Sequence, residues 1–360
     1  MTHVSAGRAP SLLDPDSQRS PIASALGGAT HAGAGALDIR STLERCVRAG
    51  HSIPRIGEGD TAKLWDLLAG TAYEDVAAAR ILEPHLDAIG ILGQAGTELD
   101  TGRDPWKLTS IGADRDSSWG VFAAEGAGMR VEASETGEGW TLTGTKPWCS
   151  LAAHLSHALV TAFVGEERRL FAVALSAPGV HPREGPWVAR GLADIVSAPV
   201  DFDGAPAVPI GVAGWYLDRP GFAWGGMSVA ACWWGGALAV RDALTAAAST
   251  ERADQVALVH AGRADVALWA ARAVLREAAE LIDAGGGIDM RLLAERVRSG
   301  VADAVTATLA EADAALGPGP LVTDDSYARR VADLHLYLRQ HHGLRDSARA
   351  ARLLIAESAL

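Results

Sequence analysis

The chain has 360 residues, 48% of them hydrophobic and 21% charged, enough to bury a full core without disulfide or metal staples. Its net charge of −12 argues against a protein held mainly by nucleic-acid phosphates. Cys46, Cys149 and Cys232 are far apart and odd in number, against a disulfide framework or a structural zinc site. With no apolar run of membrane-spanning length and no signal-like stretch in residues 1–36, a cytoplasmic protein is expected.

Residues 1–36, dominated by Ser, Ala, Gly, Pro and Thr, predict a disordered tail. An N-terminal helical domain is predicted over 37–118, from Leu43 and Val47 and then Leu64, Leu67 and Leu68 at helical offsets. A third helix opens at Tyr73–Asp75 and carries Val76, Ala79, Leu82 and Leu86, with a kink or break at Pro84. Residues 119–215 read as a middle β domain. Alternating runs at Trp140–Thr143, Ala158–Phe163, Leu170–Leu175 and Ala198–Phe202 are separated by turn signals at Thr136–Gly139, Gly165 and Ala177–Gly179. That spacing predicts an antiparallel barrel or sandwich. From 216 to 360 the pattern is helical again, over 221–249, 253–283, 289–316 and 325–356, with breaks at Gly285–Gly287 and Gly317–Pro320. A C-terminal four-helix bundle follows, and the fold class is α+β.

The common cofactor fingerprints are missing. No Gly-x-Gly-x-x-Gly opens a helix after a strand, and Gly126-Ala127-Gly128 runs on into Met129. His154 and His157, three apart, have no further ligands nearby and read as loop histidines. The eleven Trp, against five Phe and four Tyr, suit either flat pockets or composition bias.

The informative stretch is Trp140–Ser150: a strand, a glycine turn at Gly144, and a second strand with Lys146, Trp148 and Ser150. With Gly126–Gly128 upstream, Phe171–Leu175 and Ala177–Gly179 downstream, and Val200–Asp203 before Val208-Pro209, it resembles the acyl-CoA dehydrogenase family over roughly residues 37–355. The resemblance implies an FAD site, with FMN or no flavin as alternatives. Trp148 would pack on the flavin ring and Ser150 would bond near N5; the alternative for Trp148 is a β-core tryptophan. The strand and loop Trp119–Gly128 would contribute the backbone of Phe122, Ala123 and Ala124, since the family's hydroxyl side chains are absent there. Arg252 falls where the family holds the flavin pyrophosphate across a subunit interface, and Gly317 and Gly319 where it holds the adenosine end. A solvated charge and a helix break are the plainer alternatives.

The family removes an α-proton with a carboxylate. Here the segment Asp333–Asp346 lacks the usual Glu-Gly-Thr, and Gly221–Ser228 holds no acid. On a continuous helix His341, His342 and Arg345 extend the apolar face of Val331, Leu334 and Leu338. This makes the two histidines candidate catalytic groups and sets Arg345 against Asp346 or an anionic substrate. Alternatively Gly343 ends the helix and the histidines are solvated. Trp224 and Gly225 would line the substrate pocket, or serve helix packing with Trp233 and Trp234. The resemblance implies α,β-dehydrogenation of an acyl thioester in a homodimer or homotetramer, passing electrons to an electron-transfer flavoprotein. The alternatives are a flavin monooxygenase using O₂ and a non-catalytic relative.

Overall fold

The computed structural model describes residues 11–12, 37–99, 101–285 and 289–358. Three helices open it: α1 (Ile39–Gly50), α2 (Thr61–Glu74) and α3 (Val76–Gln94). Asp75 ends α2 and starts α3, its carboxylate accepting the Ala78 N–H at 3.0 Å. Pro84 does not break α3, which continues as one assigned helix on either side of it. Asp60, the N-cap of α2, makes no side-chain capping bond. Asp283 takes over that role from another helix end, accepting the Gly59 and Thr61 N–H groups at 3.2 and 2.9 Å and the Thr61 hydroxyl at 2.6 Å. Asp283→Ala is therefore expected to cost about 2 kcal/mol in urea denaturation, with Asp283→Asn recovering part of it.

Seven strands follow among the described residues: β1 (Trp119–Phe122), β2 (Val131–Thr136), β3 (Gly139–Ser150), β4 (His157–Val164), β5 (Glu167–Ala174), β6 (Val180–Pro182) and β7 (Ser197–Ile210). The sheet is mixed, not antiparallel throughout. β1 pairs parallel with β4 because the β2–β3 hairpin between them returns the chain in the same direction. β4 also touches β2 in parallel at Glu132 and Phe163 and pairs antiparallel with β5, which pairs with β7, itself paired with β3. Alternation along the strands makes two cores. Phe122, Leu142, Val160, Phe171 and Phe202 face one way, while Trp119, Leu159, Leu170 and Ile210 pack with Ala88, Ile91 and Leu92 of α3. This second contact sets α3 against the sheet.

Helices α4 (Trp215–Asp218), α5 (Gly221–Ala248), α6 (Gln255–Asp283), α7 (Met290–Leu316), α8 (Gly319–Thr323), α9 (Asp325–Tyr337) and α10 (Leu344–Glu357) complete the chain. Asp254, Asp289 and Asp324 cap α6, α7 and α9 through their side chains. The expected fourth long helix is split. α9 ends in a 3₁₀ turn at Leu338–Gln340, His341 is extended, and Gly343 has a positive φ before α10 starts. α5 runs through a core that α2 and α7 share. Its Gly235 lies so close to α2 that an added Cβ would sit 2.1 Å from the Ala69 carbonyl oxygen.

The expectation of a disordered tail falls almost wholly outside the described residues. Ser11 and Leu12, the two described there, are instead buried: the Ser11 carbonyl accepts from Arg272 Nε of α6, and Leu12 N–H donates to Asp66 of α2. No helix among the described residues is long and apolar enough to cross a membrane.

Candidate functional site

Gly144 is not a turn, because β3 runs through it at φ +122°. Its neighbour Lys146 is buried, donating from Nζ to Glu125 at 3.0 Å and to the Thr161 hydroxyl at 2.8 Å. Burial lowers its proton affinity and the Glu125 carboxylate opposes that. The ion pair ties the loop after β1 to β3. Beyond it the β3–β7 register shifts between Lys146 and Cys149, so Pro147 and Trp148 stand outside the ladder. Trp148 has φ +59° and is 63% exposed. It is not a core tryptophan. Trp65, Trp119, Trp233 and Trp234 are the fully buried ones.

Ser150, two residues on, shares a hydrogen bond of 2.7 Å with Ser197 and accepts one of 3.0 Å from Arg80 Nη2 of α3. Arg80, Pro84 and Val121 line both the crevice beside Ser150 and Phe122 and a larger cavity of about 780 Å³. Ala123 and Ala124 border that cavity, while the Phe122 ring lies in the β core. The other walls come from α3, the α4–α5 junction, α7 and the start of α10.

The cavity is rich in paired charge. Arg80 stands 4.0 Å from Glu83, and Arg219 3.9 Å from Asp87, both beyond hydrogen-bond length. Burial pushes Glu83 up to about 7, against the pull of Arg80, and raises Asp87 as well. Arg219 also donates to Gln94 at 2.8 Å, yet its Nε is buried without a partner; so is Glu295 Oε2 on α7. Arg298 donates to the Gly226 and Gln340 carbonyls at 2.6 and 2.8 Å and lies 4.9 Å from the Trp233 ring centre. Gly225 leaves the space Asp87 occupies, since a Cβ there would sit 2.8 Å from Asp87 Oδ1.

The predicted residues separate into those at this cavity and those away from it. His342 lines it, with Nδ1 3.4 Å from Asp346 Oδ1. His341 turns to α7, where Nε2 meets Ser299 Oγ at 3.1 Å, because the chain leaves the helix before it. Arg345 is exposed and does not hold Asp346, which pairs with Arg349 at 2.8 Å and accepts the His342 N–H at 3.0 Å. Burial works to raise Asp346, but these donors and the two histidines bring it below the ordinary carboxylate range. Trp224 packs towards Gly57, so that a Cβ on that glycine would strike its ring. Gly225 alone of that pair borders the cavity. Arg252 is exposed in the turn between α5 and α6, and Gly317 and Gly319 flank the start of α8, all away from the cavity walls. His157 bonds the Ile111 carbonyl at 3.0 Å and lies 4.9 Å from the Trp119 ring; no three potential metal ligands cluster among the described residues.

The helix α3 was expected from its apolar spacing, but its charged residues were not among the sequence candidates. Arg80, Glu83 and Asp87 recur at helical spacing in an otherwise apolar helix, and that stripe was the available signal.

No family model matches the chain, and no curated protein matches it. Solved structures do. FMN-bound TdsC of Paenibacillus sp. A11-2, a dibenzothiophene monooxygenase, superposes with a TM-score of 0.72 at 13% identity, covering 88% of this chain and 90% of its own. KijD3, in complex with FMN and a dTDP-amino-keto sugar, gives 0.69 at 19% identity, covering 88% and 83%. A nitrososynthase of Micromonospora carbonacea var. africana gives 0.69 at 18% identity, covering 85% and 82%. The chain shares the fold of these structures. Within that fold Trp148 is exposed two residues before Ser150, whose hydroxyl accepts from Arg80, and the Ala123–Ala124 loop borders the cavity. This donor set fits a flavin: an apolar wall for the ring and hydrogen-bond donors at its edge.

Proposed function

We propose that the protein is a flavin-dependent monooxygenase that takes reduced flavin and O₂ and oxidises a small polar molecule seated in the 780 Å³ cavity. The observation that carries this reading is the charged lining. Arg80, Arg219 and Arg298 with Glu83, Asp87 and Glu295 would lose water against an acyl chain and gain nothing from it. They suit a ligand with its own donors and acceptors. FMN is the favoured flavin, because TdsC and KijD3 are crystallised with it.

When bound, the flavin supplies the electrons for oxygen chemistry. Trp148 supports its ring, Ser150 and Arg80 set the hydrogen bonds at its edge, and the loop at Ala123–Ala124 bounds the space in front. Arg298 braces α7 against α5 and the turn before α10, keeping the walls in place.

A second reading, dehydrogenation of an acyl thioester with FAD and an electron-transfer flavoprotein as acceptor, draws support from Glu83, a buried carboxyl facing the cavity. An anaerobic absorbance titration of the flavin-loaded protein with a panel of acyl thioesters separates the two. The monooxygenase reading expects the flavin to stay oxidised; bleaching by any thioester overturns it. A homodimer or homotetramer is part of the proposal, supported by Val259, Val266 and Trp269 exposed along one side of α6.

A further inference from the structure

We propose that Glu83 is the proton donor of this site, supplying the proton consumed when O₂ is reduced at the flavin wall. The inference rests on the flavin reading above. Glu83 faces the cavity, and among the described residues no group donates a hydrogen bond to its carboxyl; its nearest charge is Arg80 Nη1 at 4.0 Å. Arg80 in turn donates through its other nitrogen, Nη2, to Ser150 beside Trp148. One guanidinium thus reaches both the carboxyl and the Ser150 hydroxyl, where the proposed flavin edge would lie. A carboxyl nine-tenths buried, with open acceptor positions turned to a cavity, either keeps its proton or passes it to what the cavity holds.

The groups around Glu83 favour the protonated form near neutrality. Burial and the Asp87 carboxylate one turn on raise it, while Arg80 and Arg298 of α7 pull it down, with a result of about 7. Tyr216 of α4, Cys232 of α5 and Tyr337 of α9 also surround it, and all three stay neutral because burial raises each. Bringing O₂ to the peroxide level, the first stage of its use by a monooxygenase, takes two electrons and two protons. A bound reduced flavin would supply both electrons and one proton; the second would come from Glu83, which would be reprotonated from solvent through the cavity. The native carboxyl keeps its proton up to about pH 7, whereas the unfolded chain loses it in the ordinary carboxylate range. Its contribution to stability is therefore present in acid and lost as pH rises through 7. Glu83→Gln should accordingly melt higher than the parent at pH 8.

The test follows reoxidation of FMN, reduced on the protein, by O₂ in stopped flow from pH 5.5 to 9. The parent should show a break near pH 7, with the fast limb on the acid side. Glu83→Gln should bind FMN as the parent does, lose the break, and reoxidise at least about tenfold more slowly at pH 6. Glu83→Asp should keep a break, and Asp87→Asn should keep it with the midpoint lowered. Infrared difference spectra of the flavin-free protein between pH 5.5 and 8.5 supply a readout without turnover: a carboxylic-acid band that titrates in the parent and is missing in Glu83→Gln. If FMN does not bind the parent, the flavin reading fails and this proposal with it. If FMN binds and Glu83→Gln reproduces the parent's rates and break, or the infrared band survives the substitution, this proposal alone is overturned.

Discussion

Trp148→Ala is expected to weaken FMN binding about thirtyfold, the equivalent of about 2 kcal/mol of lost stacking, while the melting temperature moves by no more than about 1 °C. The two halves of this expectation come from one fact: Trp148 is 63% exposed at a bulge, outside the β3–β7 ladder. A side chain in water contributes little to folding, so its loss falls on whatever it stacks against. Trp119 is the contrast. It is buried against His157 and α3, and Trp119→Ala should cost about 3 kcal/mol in stability through the cavity left behind. Fluorescence quenching of FMN and a thermal melt on the same samples check both variants. A Trp148→Ala protein that binds FMN unchanged would remove the indole from the flavin wall.

Gly144→Ala should be among the most damaging single methyls in the β region, with a loss of about 4 kcal/mol and about 5 °C in melting temperature. The added carbon would lie 2.1 Å from the Arg130 carbonyl oxygen, which already accepts the Thr145 N–H at 3.0 Å. φ at this residue is +122°, closed to L side chains without strain. Relief requires β2 and β3 to separate, two residues from the Lys146–Glu125 pair that holds the loop beside the cavity. Gly262→Ala on α6 is the control: no atom lies within 4 Å of its added Cβ, and an exposed helical glycine gains about 0.5–1 kcal/mol from the same change. Equal melting temperatures for the two variants would contradict the packing described for β3.

The helices were legible where apolar spacing continued uninterrupted. The predicted 221–249, 253–283 and 289–316 lie close to α5, α6 and α7. The fourth failed at its middle: Gly343 with positive φ and the 3₁₀ turn at Leu338–Gln340 divide a pattern that looks continuous on a helical wheel. That division is also why His341 and His342 part company, one bonded to Ser299 and the other turned to the cavity. Trp148 and Ser150 were singled out by a local motif, and their flavin contacts are part of the proposal. β2 and the short β6 escaped, being brief and partly polar, and periodicity gave no sign that β1 would pair in parallel with a strand 38 residues on. Arg80, Glu83 and Asp87 become a site only when the sheet packs on α3 and α7 crosses nearby, a distance in sequence that no local pattern spans.

We propose that this cavity and wall bind a flavin and direct its reaction with oxygen. Mixing the protein with photoreduced FMN and then with O₂, in stopped flow with full spectra, tests it most directly. With protein in excess, reoxidation kinetics distinct from those of free FMN and dependent on Trp148 are expected. Reoxidation indistinguishable from free FMN at about 100 µM protein would contradict it, since a site of even micromolar affinity would then hold nearly all the flavin.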